Sequence, residues 1–379
     1  MAWLAGATLL SWLVLGLDWY RGMRRLTELT HAEPTLDAYP TLSVIIPALN
    51  EERDLERSLR SVLTQDYPAL EVIVLNDRST DRTGEILEGM KEKDAQLEVI
   101  HIDTLPEGWL GKNHALYVGA KRAKGEWLLF TDADVRFDRA ALSIATAYAE
   151  KRGLDHLAAL PYLEAKSVPL KAFVSAFSLL FSIYSQPWRA TEPKSRWHIG
   201  IGAFNLLKRE TYEAVGTHER IALRPDDDMK LGKLVKQAGY KQEAVFAPEI
   251  MQVEWYTGLP QAIRGLNKNA FAGLNYSLPL ALTGVVSLFV TNVFPFVAVF
   301  FVSGLARWLF ALSVLIVFSV YALNKRRSRL GVLYAALHPF GVSVLCYATL
   351  ESACKALWRG SVSWRGTAYP LSELRKNKL

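Results

Sequence analysis

The stretch that decides the fold is Glu126–Asp134, whose sequence is EWLLFTDAD. A short apolar run ends there on two carboxylates, Asp132 and Asp134. Its length, its aromatic residues and the glycine before it favour a strand buried on both faces of a sheet. Ligands bind at the carboxyl ends of strands in open α/β sheets, and neighbouring carboxylates repel each other unless a cation lies between them. The pattern therefore suggests a divalent metal site, with a polar turn after a strand as the alternative.

Three earlier apolar runs are predicted to be further strands of the same sheet. They are Leu42–Ile46, Glu71–Leu75 and Leu97–Ile100, and a segment with helical periodicity follows each of them. Alternating strands and helices with short connections predict an α/β fold with a mostly parallel sheet covered on both faces.

Polar residues follow each of these strands. Asn50-Glu51 comes after the first, Asp77 after the second and Lys112 after the third. Right-handed crossovers place the carboxyl ends of the strands at one edge of the sheet, so Asp77 and the Asp132/Asp134 pair can meet at one ligand. A turn or helix cap is the alternative for Asp77, and a solvated lysine at a helix start is the alternative for Lys112.

A second acidic site is predicted at the start of a helix within Pro225–Tyr240, which Gly239 ends. Complementing the helix dipole explains one or two acidic residues there. Three adjacent aspartates, Asp226, Asp227 and Asp228, repel one another, so we expect at least one to have a chemical role. Upstream, Ile199–Gly202 enters a predicted strand through glycines, which permit close approach of a ligand or merely a tight turn.

Apolar segments predict membrane association. Residues 2–17 are nearly uncharged and Arg21, Arg24 and Arg25 follow them, which indicates an uncleaved anchor with a cytoplasmic basic flank. Spans are predicted at 278–301 and 305–323, and a third apolar stretch covers about 330–350. The predicted domains are an anchor at 1–20, a catalytic domain at 21–277, a membrane domain at 278–352 and a basic tail at 353–379.

The third apolar stretch has two possible topologies. If it crosses the membrane, the basic tail lies outside, against the positive-inside tendency. We therefore favour a re-entrant or surface-lying segment, broken near Pro339. Leu170–Tyr184 is too short to span and fits an interfacial or core helix.

The charge pattern bears on the partners. The formal net charge of +6 over 379 residues is small, and the basic residues cluster beside apolar segments. This suits an anionic membrane surface or an anionic substrate, and we expect no nucleic-acid partner. Both cysteines, Cys346 and Cys354, lie in or beside the last apolar stretch, so neither a disulfide nor a metal cluster is expected from them.

Taken together, these motifs resemble family 2 glycosyltransferases of the GT-A fold, which has a Rossmann-like sheet. The motifs are VIIPALNE at 44–51, LNDRSTD at 75–81, WLGK at 109–112, TDAD at 131–134 and DDMKL at 227–231. Within that family the chain is most similar to the membrane-anchored hopene-associated and carotenoid glycosyltransferases. That likeness rests on Gly202–Gly216, Lys268-Asn269 and Trp364–Tyr369.

The resemblance implies a role for each matched residue. Asp77 would hold the nucleotide part of a UDP- or GDP-sugar donor, with Asn50, Glu51 and Lys112 also in the donor site. Asp132 and Asp134 would be the metal-binding pair for Mg²⁺ or Mn²⁺, with Asp134 closer to the ion. Asp228 would be the catalytic base. Arg264 and Lys268 are weaker candidates for added positive charge.

The sequence departs from the family pattern at three places. Asn76 stands at the first acidic position of the nucleotide motif, and Asp227 replaces the usual glutamate before the base. The Gln-x-x-Arg-Trp motif of processive polysaccharide synthases is missing, and Arg264–Asn269 stands roughly there. Long-chain synthesis is therefore not expected.

The resulting hypothesis is a multi-pass protein of the cell (inner or plasma) membrane with a cytoplasmic catalytic domain. It would be a metal-dependent, inverting glycosyltransferase that moves a sugar from a nucleotide-sugar to a lipid acceptor hydroxyl. One rival is a nucleotidyl- or phosphotransferase acting on a membrane lipid. Another is an inactive membrane protein that binds sugar nucleotides. Transport has little support because the spans lack intramembrane charged pairs.

Overall fold

The computed structural model describes residues 1–31, 36–267, 269–364 and 366–376. The chain forms two compact units. The sheet unit consists of Leu26–Glu164 and Pro187–Glu254, and the helical unit consists of Met1–Arg25, Ala165–Gln186 and the described residues from Trp255 onward.

The sheet unit contains ten strands and six α-helices among its described residues. The strands are β1 (Leu42–Ala48), β2 (Leu70–Asp77), β3 (Leu97–Ile102), β4 (Trp127–Phe130), β5 (Val135–Phe137), β6 (His156–Leu160), β7 (Tyr162–Leu163), β8 (Asn205–Lys208), β9 (Gln242–Phe246) and β10 (Met251–Val253). The helices are α2 (Leu55–Leu63), α3 (Thr83–Lys91), α4 (Gly111–Arg122), α5 (Ala141–Arg152), α7 (Arg209–Ala214) and α8 (Asp227–Gln237), with 3-10 turns at Pro187–Arg189 and His218–Ile221.

The central sheet has seven strands in the order β3-β2-β1-β4-β8-β6-β9. β3, β2, β1 and β4 are parallel to one another, β8 is antiparallel to both of its neighbours, and β6 and β9 are parallel. The predicted mostly parallel sheet is confirmed. β5, β10 and β7 form a second, three-stranded sheet.

The parallel strands are buried on both faces, as predicted for apolar runs of this length. Alternate residues point to opposite faces and enter two separate cores. One core contains Val44, Ile46, Val72, Val74 and Leu129 together with Leu55 and Leu59 of α2. The other contains Ile45, Ile73, Leu75, Leu128 and Phe130 together with Leu116 of α4 and Leu231 and Leu234 of α8. Because helices cover both faces, only the ends of the strands remain open to a ligand.

The helical unit contains eight α-helices and one hairpin among its described residues. The helices are α1 (Ala2–Met23), α6 (Val168–Ser185), α9 (Leu259–Leu266), α10 (Leu278–Leu288), α11 (Phe294–Phe301), α12 (Gly304–Ser328), α13 (His338–Arg359) and α14 (Leu371–Lys376). A π-helical turn, Phe289–Val293, joins α10 to α11, and 3-10 turns lie at Ala272–Leu274 and Val332–Leu337. The hairpin strands are β11 (Ser361–Trp364) and β12 (Thr367–Pro370).

This division differs from the predicted domain boundaries. Residues 165–186 and 255–277 belong to the helical unit rather than to the sheet unit. The reason is that α6 packs small residues against α13: Ala176 of α6 lies in one apolar cluster with Val342 and Cys346 of α13. A local pattern of apolar residues cannot show which partner a helix will cover.

Candidate functional site

The loop after β4 forms hydrogen bonds with β1 and with the segment before β8, at the carboxyl edge of the sheet. The Thr131 amide donates to the Ile45 carbonyl over 3.2 Å, and the Thr131 hydroxyl donates to the Ala203 carbonyl over 2.7 Å. The Asp132 amide donates to the Gly202 carbonyl over 3.1 Å. Backbone contacts thus place the Asp132–Asp134 turn beside the segment that leads into β8.

Helix α8 begins against that same segment. A Cβ on Gly200 would lie 1.8 Å from the Asp228 carbonyl oxygen, and a Cβ on Gly232 would lie 1.9 Å from the Ile199 carbonyl oxygen. Gly200 and Gly232 therefore allow α8 to pack closely on residues 199–200. The sequence had left two roles open for the glycines of 199–202, close approach of a ligand or a tight turn, and for Gly200 the role is helix packing. The predicted end of the helix is confirmed, since Gly239 follows it with a φ of +83°.

Asp228 is held in place by two backbone amides. The Gly202 amide donates to Oδ2 and the Met229 amide donates to Oδ1, each over 2.7 Å. Burial and the neighbouring Asp227 carboxylate raise the pKa of Asp228. A fixed carboxylate with a raised pKa is suited to accepting a proton.

Three charged side chains meet at Gly202. A Cβ at that position would lie 2.8 Å from Asp132 Oδ2, 3.4 Å from Lys112 Nζ and 3.5 Å from Asp228 Oδ2. The loop after β4, the start of α4 and the start of α8 therefore bring their side chains to one point. Only a residue without a side chain leaves that point open.

Lys112 joins these carboxylates electrostatically. Its side chain is buried, and its Nζ lies 2.8 Å from Asp132 Oδ1 and 3.4 Å from Asp227 Oδ2. Burial opposes the charge of Lys112, but the carboxylates of Asp132, Asp227 and Asp228 outweigh burial and raise its pKa. Lys112 is thus a buried cation of the site and not a solvated lysine at a helix start.

Asp134 faces an excess of negative charge. Burial raises its pKa, and the carboxylates of Asp132 and Glu51 raise it further, while Lys112 lowers it. Glu51 therefore lies in the electrostatic environment of the Asp132–Asp134 turn. Such an uncompensated acidic group favours a bound cation.

The three adjacent aspartates at the start of α8 each have a different partner. Asp226 receives a bidentate ion pair from the buried Arg224, with N–O distances of 2.9 and 3.0 Å, and lies 3.3 Å from Lys230 Nζ. Asp227 faces Lys112, and Asp228 accepts the two amides. These partners offset the mutual repulsion that the sequence predicts for the three aspartates. Of the three, Asp228 is the one whose carboxylate lies at Gly202.

Asp77 is fully buried at the end of β2. Arg78 forms a bidentate ion pair with it, with N–O distances of 2.7 and 3.0 Å, and has a φ of +59°. A Cβ on Gly111 would lie 2.4 Å from Asp77 Oδ2, so the start of α4 packs directly on this carboxylate. Because Lys112 follows Gly111, the first turn of α4 connects Asp77 with the Asp132 side of the site.

Asn50 links the loops that follow β1 and β2. Its side-chain oxygen accepts from the Thr80 amide over 2.8 Å, and its own amide donates to Ser79 Oγ over 3.1 Å. The Glu51 amide donates to Thr83 Oγ1 over 2.8 Å. The Asn50 side chain therefore stabilises the loop after β2. The bond from Glu51 holds this residue near Asp134, where its carboxylate raises the pKa of Asp134.

Two residues of the site were not predicted from the sequence, and two predicted candidates are not found among its described residues. Gly202 and Arg78 were not identified as parts of the site, although the Gly-x-Gly pattern at 200–202 was the available signal for the first. Arg264 lies in the helical unit, and Lys268 lies outside the described residues.

The donor set of the site fits a divalent cation. Asp132 and Asp134 offer hard oxygen ligands, and the charge excess at Asp134 favours a positive ion. Among the described residues, no group of three or more His, Cys, Asp or Glu side chains is arranged to enclose a metal.

An open, mostly parallel sheet with an acidic cluster at its carboxyl edge defines an α/β protein of the GT-A class. Residues 43–216 match the family model described as glycosyl transferase family 2. Over these residues the chain matches family 2 glycosyltransferases, and the resemblance seen in its motifs is confirmed.

Two curated relatives extend the comparison beyond this domain. Both are 4,4'-diaponeurosporenoate glycosyltransferases. The protein from Staphylococcus haemolyticus is 26% identical over 242 residues, which are 63% of this chain and 63% of the relative. The protein from Staphylococcus aureus (strain USA300) is 24% identical over 359 residues, which are 88% of this chain and 90% of the relative.

A solved structure shares the fold. It is a mannosyltransferase from Pyrobaculum calidifontis in complex with GDP-Man and Mn²⁺, with a TM-score of 0.54 and 19% identity. The superposition covers 94% of this chain and 99% of that chain.

Proposed function

We propose that the protein is a membrane-bound, metal-dependent, inverting glycosyltransferase with a nucleotide-sugar donor and an apolar lipid acceptor of the carotenoid type. The observation that carries this proposal is the meeting of Asp132, Lys112 and Asp228 at Gly202. A cation-binding carboxylate, a buried ammonium group and a fixed base lie there within reach of one reacting centre.

The donor side of the site is formed by β2, α4 and the loop after β4. Asp77 would hold the nucleoside, and Asp134 with Asp132 would hold the cation. Mg²⁺ or Mn²⁺ bound there would supply positive charge to offset the charge that develops on the leaving diphosphate. Lys112 adds a second cation, which the carboxylates around it keep protonated.

The acceptor side is formed by the start of α8. The acceptor hydroxyl oxygen attacks the anomeric carbon and forms the new C–O bond, while the bond to the diphosphate oxygen breaks and the nucleoside diphosphate leaves. Asp228 takes the proton of the hydroxyl. One displacement inverts the configuration at that carbon.

The acceptor class rests on the relatives and on the apolar helices. The curated relatives are named for 4,4'-diaponeurosporenoate, a carotenoid-type carboxylate, so they support the apolar lipid character of the acceptor and not its hydroxyl group. Five helices among the described residues are long and apolar enough to cross a membrane. The sheet unit begins directly after the basic residues Arg24 and Arg25, so we place the catalytic domain at the cytoplasmic face.

The test is turnover by the purified protein with a panel of UDP- and GDP-sugars and a lipid extract, read by mass spectrometry. We expect a glycosylated lipid and free nucleoside diphosphate, lost on chelation and restored by Mn²⁺ or Mg²⁺. Transfer of a nucleoside monophosphate would support a nucleotidyltransferase instead.

The division of labour is tested by Asp228→Asn. Removing the base should lower transfer by about 10² to 10⁴-fold and leave metal-dependent donor binding largely intact. Glu92→Gln, an exposed carboxylate beyond α3, is the matched control and should leave both unchanged. Equal loss of transfer and donor binding in Asp228→Asn would refute the assigned role.

A further inference from the structure

We infer that three segments cross the bilayer, namely α1, α10–α11 and α12, and that α6 and the segment from 329 to 352 enter and leave it on the same side. The inference goes beyond the proposed function. The contacts of the helical unit carry it, independently of the chemistry of the site. By length and composition alone, all five candidate helices of the described residues qualify as spans. They include 168–189, so the prediction that 170–184 is too short to span was wrong, because the helical segment is longer than its apolar run.

The direction of the crossing helices follows from their contacts. Ala5, near the start of α1, clusters with Ala306 and Phe310, near the start of α12. Further along, a Cβ on Gly16 would lie 3.3 Å from Ile316 Cγ2. Helices α1 and α12 are therefore parallel.

Helix α11 runs the other way. Phe294 lies against Phe310 with ring centroids 5.6 Å apart, and Ala298, closer to the end of α11, joins the cluster at the start of α12. The bundle thus has two ends. The outer end contains Met1 and the α11–α12 connection, and the basic end contains Met23, Leu278 and Ser328.

Helix α13 begins inside this bundle. The His338 ring contacts the Tyr321 hydroxyl at 3.1 Å through Nδ1 and the Asn292 side-chain oxygen at 3.0 Å through Nε2. Tyr321 lies seven residues before Ser328 and seventeen after Gly304, or about 10 Å and about 26 Å along the helix axis. The chain therefore turns inward after Ser328 and reaches only part of the depth before α13 starts.

Helix α13 then returns to the end from which the chain came. Val342 packs with Val293, and Cys346 Sγ lies 3.9 Å from the Val285 carbonyl oxygen, closer to the start of α10. Ser352 Oγ donates to the Asn267 carbonyl over 2.6 Å, and Asn267 precedes α10 in the chain. The segment is therefore re-entrant, and Pro339 lies in the first turn of α13, where a proline is tolerated.

Helix α6 is confined to the same half of the bundle. A Cβ on Gly341 would lie 2.6 Å from the Ala172 carbonyl oxygen, and Trp19 Nε1, near the basic end of α1, donates to Ser182 Oγ over 3.0 Å. The chain leaves the sheet unit at Glu164 and rejoins it at Pro187, on either side of α6. One folded unit cannot lie on both sides of a membrane, so α6 does not cross.

The charges agree with this arrangement. The basic end carries Arg21, Arg24, Arg25, Lys325, Arg326, Arg327, Lys355 and Arg359. At the outer end lie Arg307 and the exposed aromatic residues Phe300, Phe301 and Trp308, which are typical of a membrane–water interface. The partner of the basic end is therefore an anionic leaflet, and a crossing by α13 would separate Lys355 and Arg359 from it.

Labelling of single cysteines tests the topology. The full chain, with Cys346→Ala and Cys354→Ser, is placed in sealed membrane vesicles of known orientation and treated with an impermeant maleimide. Ser303→Cys marks the outer end and Ser328→Cys marks the basic end, and each position is first shown to label in detergent. Ser363→Cys, in the hairpin after α13, should label from the side of Ser328→Cys with at least tenfold preference.

A second pair tests α6. Ser167→Cys and Thr191→Cys, both exposed and flanking the helix, should label from that same side. Labelling of Ser363→Cys from the side of Ser303→Cys, or its protection from both sides, would overturn the re-entrant segment. Opposite sidedness of the α6 pair would overturn the in-and-out path of that helix.

Discussion

Gly202→Ala is the substitution that most directly tests the geometry of the site. The added Cβ would lie 2.8 Å from Asp132 Oδ2, whereas ordinary contact begins at 3.4 Å. Gly202 does not have a positive φ, so alanine brings no backbone strain. The steric overlap is with the flexible carboxylate of Asp132, which must move by about 0.6 Å to restore an ordinary van der Waals distance.

The expected loss can be worked from that shift. A misplacement of about 1 Å costs about 10²-fold in rate, so we expect kcat/KM to fall by about 10 to 100-fold. Moving one side chain off its preferred rotamer costs about 0.5–1.5 kcal/mol, so the fold should survive.

The assay measures steady-state transfer together with thermal unfolding of the purified protein. Gly89→Ala is the matched control because Gly89 lies in the last turn of α3 and a Cβ there meets nothing within 4 Å. It should leave transfer unchanged and stabilise slightly. If Gly202→Ala keeps wild-type kcat/KM within twofold, the three side chains do not act together at this point and the proposed site is wrong.

Three further predictions concern charge and packing. Lys112→Met removes the cation facing the buried carboxylate of Asp227 and the partly exposed carboxylate of Asp132, so we expect about 3–5 kcal/mol of destabilisation by thermal unfolding and loss of transfer, whereas the exposed Lys93→Met should be neutral. Gly232→Ala places its Cβ 1.9 Å from a backbone oxygen, so it should cost about 3 kcal/mol or more, and a normal melting temperature would contradict the packing of α8. Burial lowers the pKa of His156 from 6.5 to about 4, with Nδ1 accepting from Gln242, so the unfolded state binds the extra proton and stability should fall by about 1.5 kcal/mol from pH 6.5 to pH 5. His156→Gln should show a flatter pH dependence of unfolding, and an unchanged slope would rule out this source of acid sensitivity.

Much of the fold follows from local pattern. The runs at 42–46, 71–75 and 97–100 are strands, and each strand is two or three residues longer than the predicted run. Pro47 lies inside β1, one residue beyond the predicted end of the strand at Ile46. It is tolerated because β1 pairs with β4 only from Leu42 to Ile45, so the missing amide of Pro47 removes no bond on that side.

The helical unit was predicted less completely from the spacing of its apolar residues. The sequence identified the apolar stretches at 278–301 and 305–323 and favoured a re-entrant third segment. It could not assign α6 to the helical unit, because an apolar face of small and aromatic residues packs equally well in a core or against another embedded helix.

The sequence by itself determined the alternation of strands and helices, and the order of the acidic motifs along the chain. Both features depend on the spacing of residues that are close together in the sequence, so they can be read from the sequence without knowing the fold. The tertiary structure decided that Lys112 is buried between Asp132 and Asp227 and that Asn50 braces a loop. It also decided that Gly202 keeps open the point where Asp132, Lys112 and Asp228 meet. Those outcomes depend on contacts between segments up to about a hundred residues apart, and the sheet order and the packing of α8 bring those segments together.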